Sequence, residues 1–144
     1  MSQIYLVGID GSDPAQRAVA CAAAQASKSQ AKLILAHIVD WSGYEIMGPA
    51  ELAERHLHRE QEIATAREKI TQPATEIAAK HGVTPEVIIH HGHATSLLMN
   101  LISEHGVTHV FVGRHGQSRL EALIFGSTAN TLAQTAPVPV TVVP

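Results

Sequence analysis

An α/β fold built on a parallel sheet is the architecture that this sequence predicts, and three observations predict it. Short runs rich in Val, Ile and Leu recur along the chain, as strands buried on both faces require. Helical patterns separate these runs, so strand and helix alternate as in right-handed βαβ units. The composition is 45% hydrophobic but only 3% aromatic, so Ala, Val, Ile and Leu must fill the core. Helices laid on a Val/Ile-rich sheet do this.

The elements follow in order. Ile4 to Ile9 is the first apolar run, and it stops at Asp10-Gly11-Ser12. Asp13 reads as the N-cap of the first helix, with Pro14 at the first helical position. That helix runs to about Ser29, with Val19, Ala22 and Ala26 on one face. Leu33 to Val39 is the second strand, and residues 40–49 form a loop containing Gly43, Gly48 and Pro49. Residues 50–81 have helical composition. A straight helix of that length would span about 48 Å, against a radius of gyration of roughly 15 Å for such a chain. Pro73 lacks an N–H and crowds the preceding turn. The expectation is a kink or break near Gln72-Pro73, or a poorly ordered first part. Gly82 closes this region, and Thr84-Pro85 leads into a third strand, Glu86 to His91. Thr95 to His105 is a helix with Leu98, Leu101 and Ile102 inward and Gly106 as its stop. Val107 to Val112 is strand four, Ser127 to Thr135 a short helix, and Val138 to Val143 strand five. Pro139 assigns that last strand to a sheet edge, because proline donates nothing to a ladder.

Bulk properties narrow the function classes. A length of 144 residues suits a single domain over 1–144. The formal charge of −3 gives no basic field for nucleic acid. No apolar run approaches the roughly 20 residues that span a bilayer. Met1-Ser2-Gln3 leads almost directly into a strand, without a leader pattern. The single cysteine, Cys21, excludes an internal disulfide and reads as a small buried hydrophobe of the alanine-rich helix. A cytoplasmic protein without membrane insertion is expected.

The most informative residues are Gly113-Arg114-His115-Gly116 and Gly126-Ser127-Thr128, together G-x-x-G-x9-G-S. The pattern starts where strand four runs out and ends where a helix begins. Glycines after a strand let the backbone bend and approach a ligand closely. A Gly-Ser-Thr helix start offers free N–H groups, hydroxyls and the positive end of the helix dipole, which suits a phosphate chain. The reading is a nucleotide-binding α/β domain.

Several further segments carry a resemblance. Ile9-Asp10-Gly11-Ser12, Leu35-Ala36-His37-Ile38, the Gly92 turn, the glycine motif and the closing Ala136-Pro137-Val138-Pro139-Val140 together resemble the universal stress protein family across essentially the whole chain. The resemblance implies an open five-stranded parallel sheet in order 3-2-1-4-5, Rossmann-like, with helices on both faces. It also implies a homodimer, commonly formed through the last strand, Val138-Val143. With that order, strands one and four are neighbours whose connections leave in opposite directions. Such a switch point is where open α/β sheets bind ligands.

By the same resemblance, Asp10 lies beside the ribose and adenine, and the backbone of Ile38 reads the adenine edge. Gly113, Arg114 and Gly116 line the sugar and phosphates, and Gly126, Ser127 and Thr128 hold the phosphate chain. Gly8, Ile9 and Val112, at the ends of strands one and four, complete the nucleotide-binding set. The chemistry agrees: a carboxylate suits ribose hydroxyls, and glycine amides with hydroxyls suit phosphates. Arg114 would add charge-assisted bonds. The implied ligand is ATP, or AMP or ADP, with Mg or Mn held through the phosphates. The chain departs from the family at Gly92-His93-Ala94, where a proline is common, and at the polar Gln117 to Glu121 segment, a rim or a solvated loop. Arg119 is given no role.

Ten histidines raise the question of a metal. His90 faces away from His91 and His93 on a strand, and His56 and His58 share no helical face. No zinc spacing and no Walker A lysine is present, so no metal site of the protein's own is assigned. His115, inside the motif, reads first as an exposed loop histidine and second as a base or phosphate donor. No catalytic residue is identifiable, and any ATP hydrolysis is expected to be slow. Three functions compete. The first is a dimeric nucleotide-sensing module that signals stress to a regulatory protein partner, with Trp41, Tyr44, Ile46 and Met47 as a mobile part or a lid. The second is a slow ATPase or phosphotransferase using Asp10, Asp13 or His115. The third is a dimeric adaptor indifferent to nucleotide, against which the intact glycine motif counts.

Overall fold

The computed structural model describes residues 2–40, 49–116 and 125–144. The expectations for Trp41 to Met47 and for Gln117 to Glu121 lie outside the described residues. Five strands, β1 (Ile4–Ile9), β2 (Lys32–Asp40), β3 (Glu86–Gly92), β4 (His109–Gly113) and β5 (Val140–Val143), form one sheet in the order β3-β2-β1-β4-β5. Every neighbouring pair is parallel. Around it run α1 (Asp13–Ser29), α2 (Pro49–Ala66), α3 (Gln72–Ala79), α4 (Ala94–His105) and α5 (Ser127–Thr135).

The period of two along the strands sorts the core into two layers. On one face, Tyr5, Val7 and Ile9 of β1 join Leu33, Leu35 and Phe111 beneath α1 and α3. The helices there contribute small residues, including Ala18, Ala22, Ala26, Ala74 and Ala78. On the other face, Leu6, Ile34, Ala36, Val110 and Val112 pack under Leu98, Leu101 and Ile102 of α4 and Leu132 of α5. The expected inward residues of α1 and α4 are therefore buried.

Element ends differ from the sequence reading in instructive ways. Ser12, not Asp13, caps α1: its hydroxyl accepts from Ala15 N at 3.3 Å, and Pro14 is the second helical residue. β5 starts at Val140 because Pro139 has no N–H; its carbonyl still accepts from Val110 N at 3.0 Å. The strand does lie at a sheet edge. β4 starts at His109, with Val107 already buried ahead of it. The disturbance expected near Gln72-Pro73 is a π-helical turn, Arg67–Thr71, that ends directly before Gln72, with the helical stretch continuing through it. Gln72 N donates to Arg67 O across that wider turn. This relieves the crowding from the Pro73 ring. Cys21 is half-buried rather than buried, and Gln25 Nε2 donates to its sulfur at 3.6 Å.

Two side-chain links tie elements together. Glu62 of α2 takes His58 Nε2 on one oxygen (2.9 Å) and His91 Nε2 of β3 on the other (3.3 Å). His109 stacks on Phe111 at 4.5 Å between ring centroids and meets Thr141 Oγ1 of β5 through Nε2 at 2.7 Å. Burial pushes the His109 pKa down, because the charged imidazole loses hydration there.

Candidate functional site

The strand order makes the β1–β4 boundary a switch point: β1 leads through α1 to β2 on one side, while β4 lies on its other side. At the carboxyl ends of these strands a cavity of about 250 Å³ opens. Gly8, Ile9, Asp10, Ile38, Val112, Gly113, Gly116, Gly126, Ser127 and Thr128 all line it. Residues separated by more than a hundred positions thus meet in one place. Arg114 of the sequence-derived set does not line the cavity. Its backbone acts instead: Arg114 N donates to Val143 O (2.7 Å) and Arg114 O accepts from Gly126 N (2.8 Å), tying the motif to β5 and to the start of α5.

Asp10 is set by its own loop. Its Oδ1 accepts from Ser12 N at 2.9 Å and from the Ser12 hydroxyl. Ser12 therefore orients the carboxylate and caps α1 together. A Cβ added at Gly116 would stand 2.7 Å from Asp10 Oδ2, so a larger residue there would have to displace the carboxylate that Ser12 orients. Gly113 answers a different demand: a Cβ there would come within 2.8 Å of Ala15 N and of Pro14 Cβ, at the start of α1. The Ile9 carbonyl, at the end of β1, accepts from His37 Nδ1 at 2.7 Å, which locks the ends of β1 and β2 together.

The wall has two characters. Ala36, Ile38, Leu98 and Val112 form an apolar slot, extended by Ala94 at the start of α4. Opposite lies the start of α5. Its N-cap is Gly126, which has no side chain to satisfy the first turn. The N–H groups of Ser127, Thr128 and Ala129 are left for a ligand beside two hydroxyls. Among the described lining residues there is no Lys or Arg, and Asp10 is the acidic group.

Sequence reasoning missed Ala15, Ala36, Ala94, Leu98 and Ala129. Leu98 was read as core, and it is; its position on α4 also makes it a wall of the slot. Ala36 shares a face with Ile38 by strand alternation, a signal that was open to use. His115 is a correction: it is half-buried and lines the cavity rather than standing exposed in a loop.

The family model of the universal stress protein family matches residues 1–144. The chain is 30% identical over 142 residues to universal stress protein YxiE of Bacillus subtilis, covering 96% of each chain. Among solved structures it resembles universal stress protein UspA from Lactobacillus plantarum, with TM-score 0.85, 24% identity and coverage of 99% and 97%. It also resembles a universal stress protein crystallised in complex with cAMP, with TM-score 0.66, 26% identity and coverage of 99% and 96%. Sheet order, whole-length match and shared fold agree, and the chain belongs to the universal stress protein family.

Proposed function

We propose that this chain is an adenine-nucleotide-binding module that forms a homodimer and reports nucleotide occupancy to a regulatory protein partner in stress response. The observation that carries the reading is the pairing, in one cavity, of an apolar slot with an uncapped helix start. A flat base fits between Ile38, Leu98 and Val112, where backbone groups of β2 can read its edge. Asp10 suits ribose hydroxyls. Gly126, Ser127 and Thr128 suit phosphate. The structural neighbour bound to cAMP supports an adenine nucleotide.

ATP, ADP and AMP share the groups that such a site reads. Mg²⁺ or Mn²⁺ would be held through the phosphates, because no three His, Cys, Asp or Glu among the described residues are arranged to hold a metal. The ion would offset phosphate charge that no described lining Lys or Arg offsets. Slow hydrolysis is the alternative reading.

The test is to denature freshly purified protein, identify released nucleotide by chromatography and mass, and titrate the emptied protein with ATP and AMP by calorimetry. Release or binding of an adenine nucleotide is expected, and Gly116→Val should weaken it by at least about tenfold by pushing Asp10 aside. No release and no binding of either nucleotide, with magnesium present, would leave the nucleotide-independent adaptor standing.

A further inference from the structure

Asp10 lines the cavity, but a residue behind the wall decides how its carboxylate is turned. Ser12 is buried and does not line the cavity. Its hydroxyl accepts from Ala15 N at 3.3 Å, in the first turn of α1. A hydroxyl has one proton to give, and an ionised carboxylate only accepts. The Ser12 proton therefore goes to Asp10 Oδ1, which also accepts from Ser12 N at 2.9 Å. The donors run one way, from the start of α1 through the hydroxyl to the carboxylate. Bonds linked in this way strengthen one another, and they bring the positive end of the helix dipole to bear on Asp10.

The two carboxylate oxygens are thereby made different. Oδ1 is engaged by the loop that follows β1. Oδ2 lies toward the glycine motif, where a Cβ on Gly116 would stand 2.7 Å from it. Asp10 and Gly116 both line the cavity, so Oδ2 stands where the two loops meet in its wall. A carboxylate oxygen accepts hydrogen bonds and donates none, which favours a ligand bearing hydroxyls over one without them. A side chain held in one orientation expresses that preference in full, because binding then costs it no further ordering.

We propose that Ser12 is a positioning residue: by holding Asp10 Oδ1 it aims Oδ2 at the sugar hydroxyls, so the site selects a ribonucleotide over a nucleotide whose sugar lacks them. The proposal rests on the nucleotide reading above and adds to it a residue that touches no ligand. One hydroxyl serves both as a helix cap and in sugar recognition, and substitution separates the two tasks.

The experiment measures AMP and 2′,3′-dideoxy-AMP affinities by calorimetry for the wild type, Ser12→Gly and Ser12→Thr, with thermal melts of each. Glycine removes the hydroxyl yet is itself an accepted N-cap, so α1 keeps its start. Threonine keeps the hydroxyl. The wild type should bind AMP about tenfold tighter than the dideoxy analogue, as one or two bonds to a charged group provide. Ser12→Gly should lose about fivefold for AMP and less than about twofold for the analogue, while Ser12→Thr keeps the wild-type ratio. If the glycine variant melts too early to titrate, Ser12→Cys, a weaker donor of similar size, should show the same narrowing of the ratio. An unchanged AMP affinity without the hydroxyl overturns the proposal. So does an equal loss for both ligands, which would leave Ser12 a helix cap alone, and so does a wild type that binds both equally. Failure of the wild type to bind either ligand overturns the nucleotide reading itself, and the wild-type titration alone tells that case apart.

Discussion

At the scale of single residues, two glycines of one motif serve different ends. Gly116 makes room for Asp10, whereas Gly113 makes room for the start of α1. Gly113→Ala should therefore act on stability: a methyl group 2.8 Å from Ala15 N forces α1 away from β4. Such overpacking costs about 1–3 kcal/mol, visible as a lower urea midpoint with an unchanged slope. A wild-type midpoint would show that α1 shifts freely. The spacing G-x-x-G-x9-G-S brought these residues into view because close backbone approach leaves glycine in the sequence. It could not separate their tasks, since Asp10, Ala15 and Gly116 meet only after folding. Arg114 shows the same limit. Its side-chain type implied phosphate, whereas its backbone bonds to Val143 and Gly126 had no signal in the sequence. His115 was ranked first as an exposed loop residue because a histidine between glycines carries no local sign of burial, and its place in the cavity wall is set only by folding.

At the scale of elements, β5 depends on His109. The ring is stacked on Phe111 and bonded to Thr141, and burial lowers its pKa. The unfolded chain then binds a proton more readily than the folded one. The stability held by the neutral ring is complete above the ordinary imidazole value of about 6.5, and it is lost as pH falls from there through the lower folded value. The melting temperature should drop over that interval, and His109→Gln should lie lower at neutral pH but show a flatter slope. Parallel pH profiles for the two proteins would remove His109 as the cause. The starts of α1 and α5 were legible because caps and helix-opening residues are local signals, even where the cap itself was off by one at Ser12. The π-helical turn was not legible. Pro73 announced a disturbance, but its form, a wider turn over the residues just before Gln72 with Thr71 buried, has no signal of its own in the sequence.

At the scale of the molecule, the edge of β5 is the surface on which the proposed homodimer can be tested. Pro139 O and Val143 O accept from β4, so by strand alternation the backbone groups of Val140 and Val142 face outward. An open edge of this kind templates pairing. The chain should sediment as a dimer, and Val142→Pro, which removes an outward N–H, should yield a monomer that keeps its nucleotide affinity. A wild-type monomer at micromolar concentration, or a dimer unaffected by the proline, would move the interface elsewhere. The sheet order was readable in advance only through resemblance, because βαβ alternation alone allows several orders. Parallel strands have a further consequence for any such pair. Two identical edges related by a two-fold axis offer each other matching donors and acceptors only when they run antiparallel. All strands here point one way, so the two carboxyl rims would stand at opposite ends of one continuous sheet. Each copy would then own a site with its own entrance. A protein bound at one rim would sense the occupancy of one copy alone, making such a dimer two independent reporters facing opposite ways.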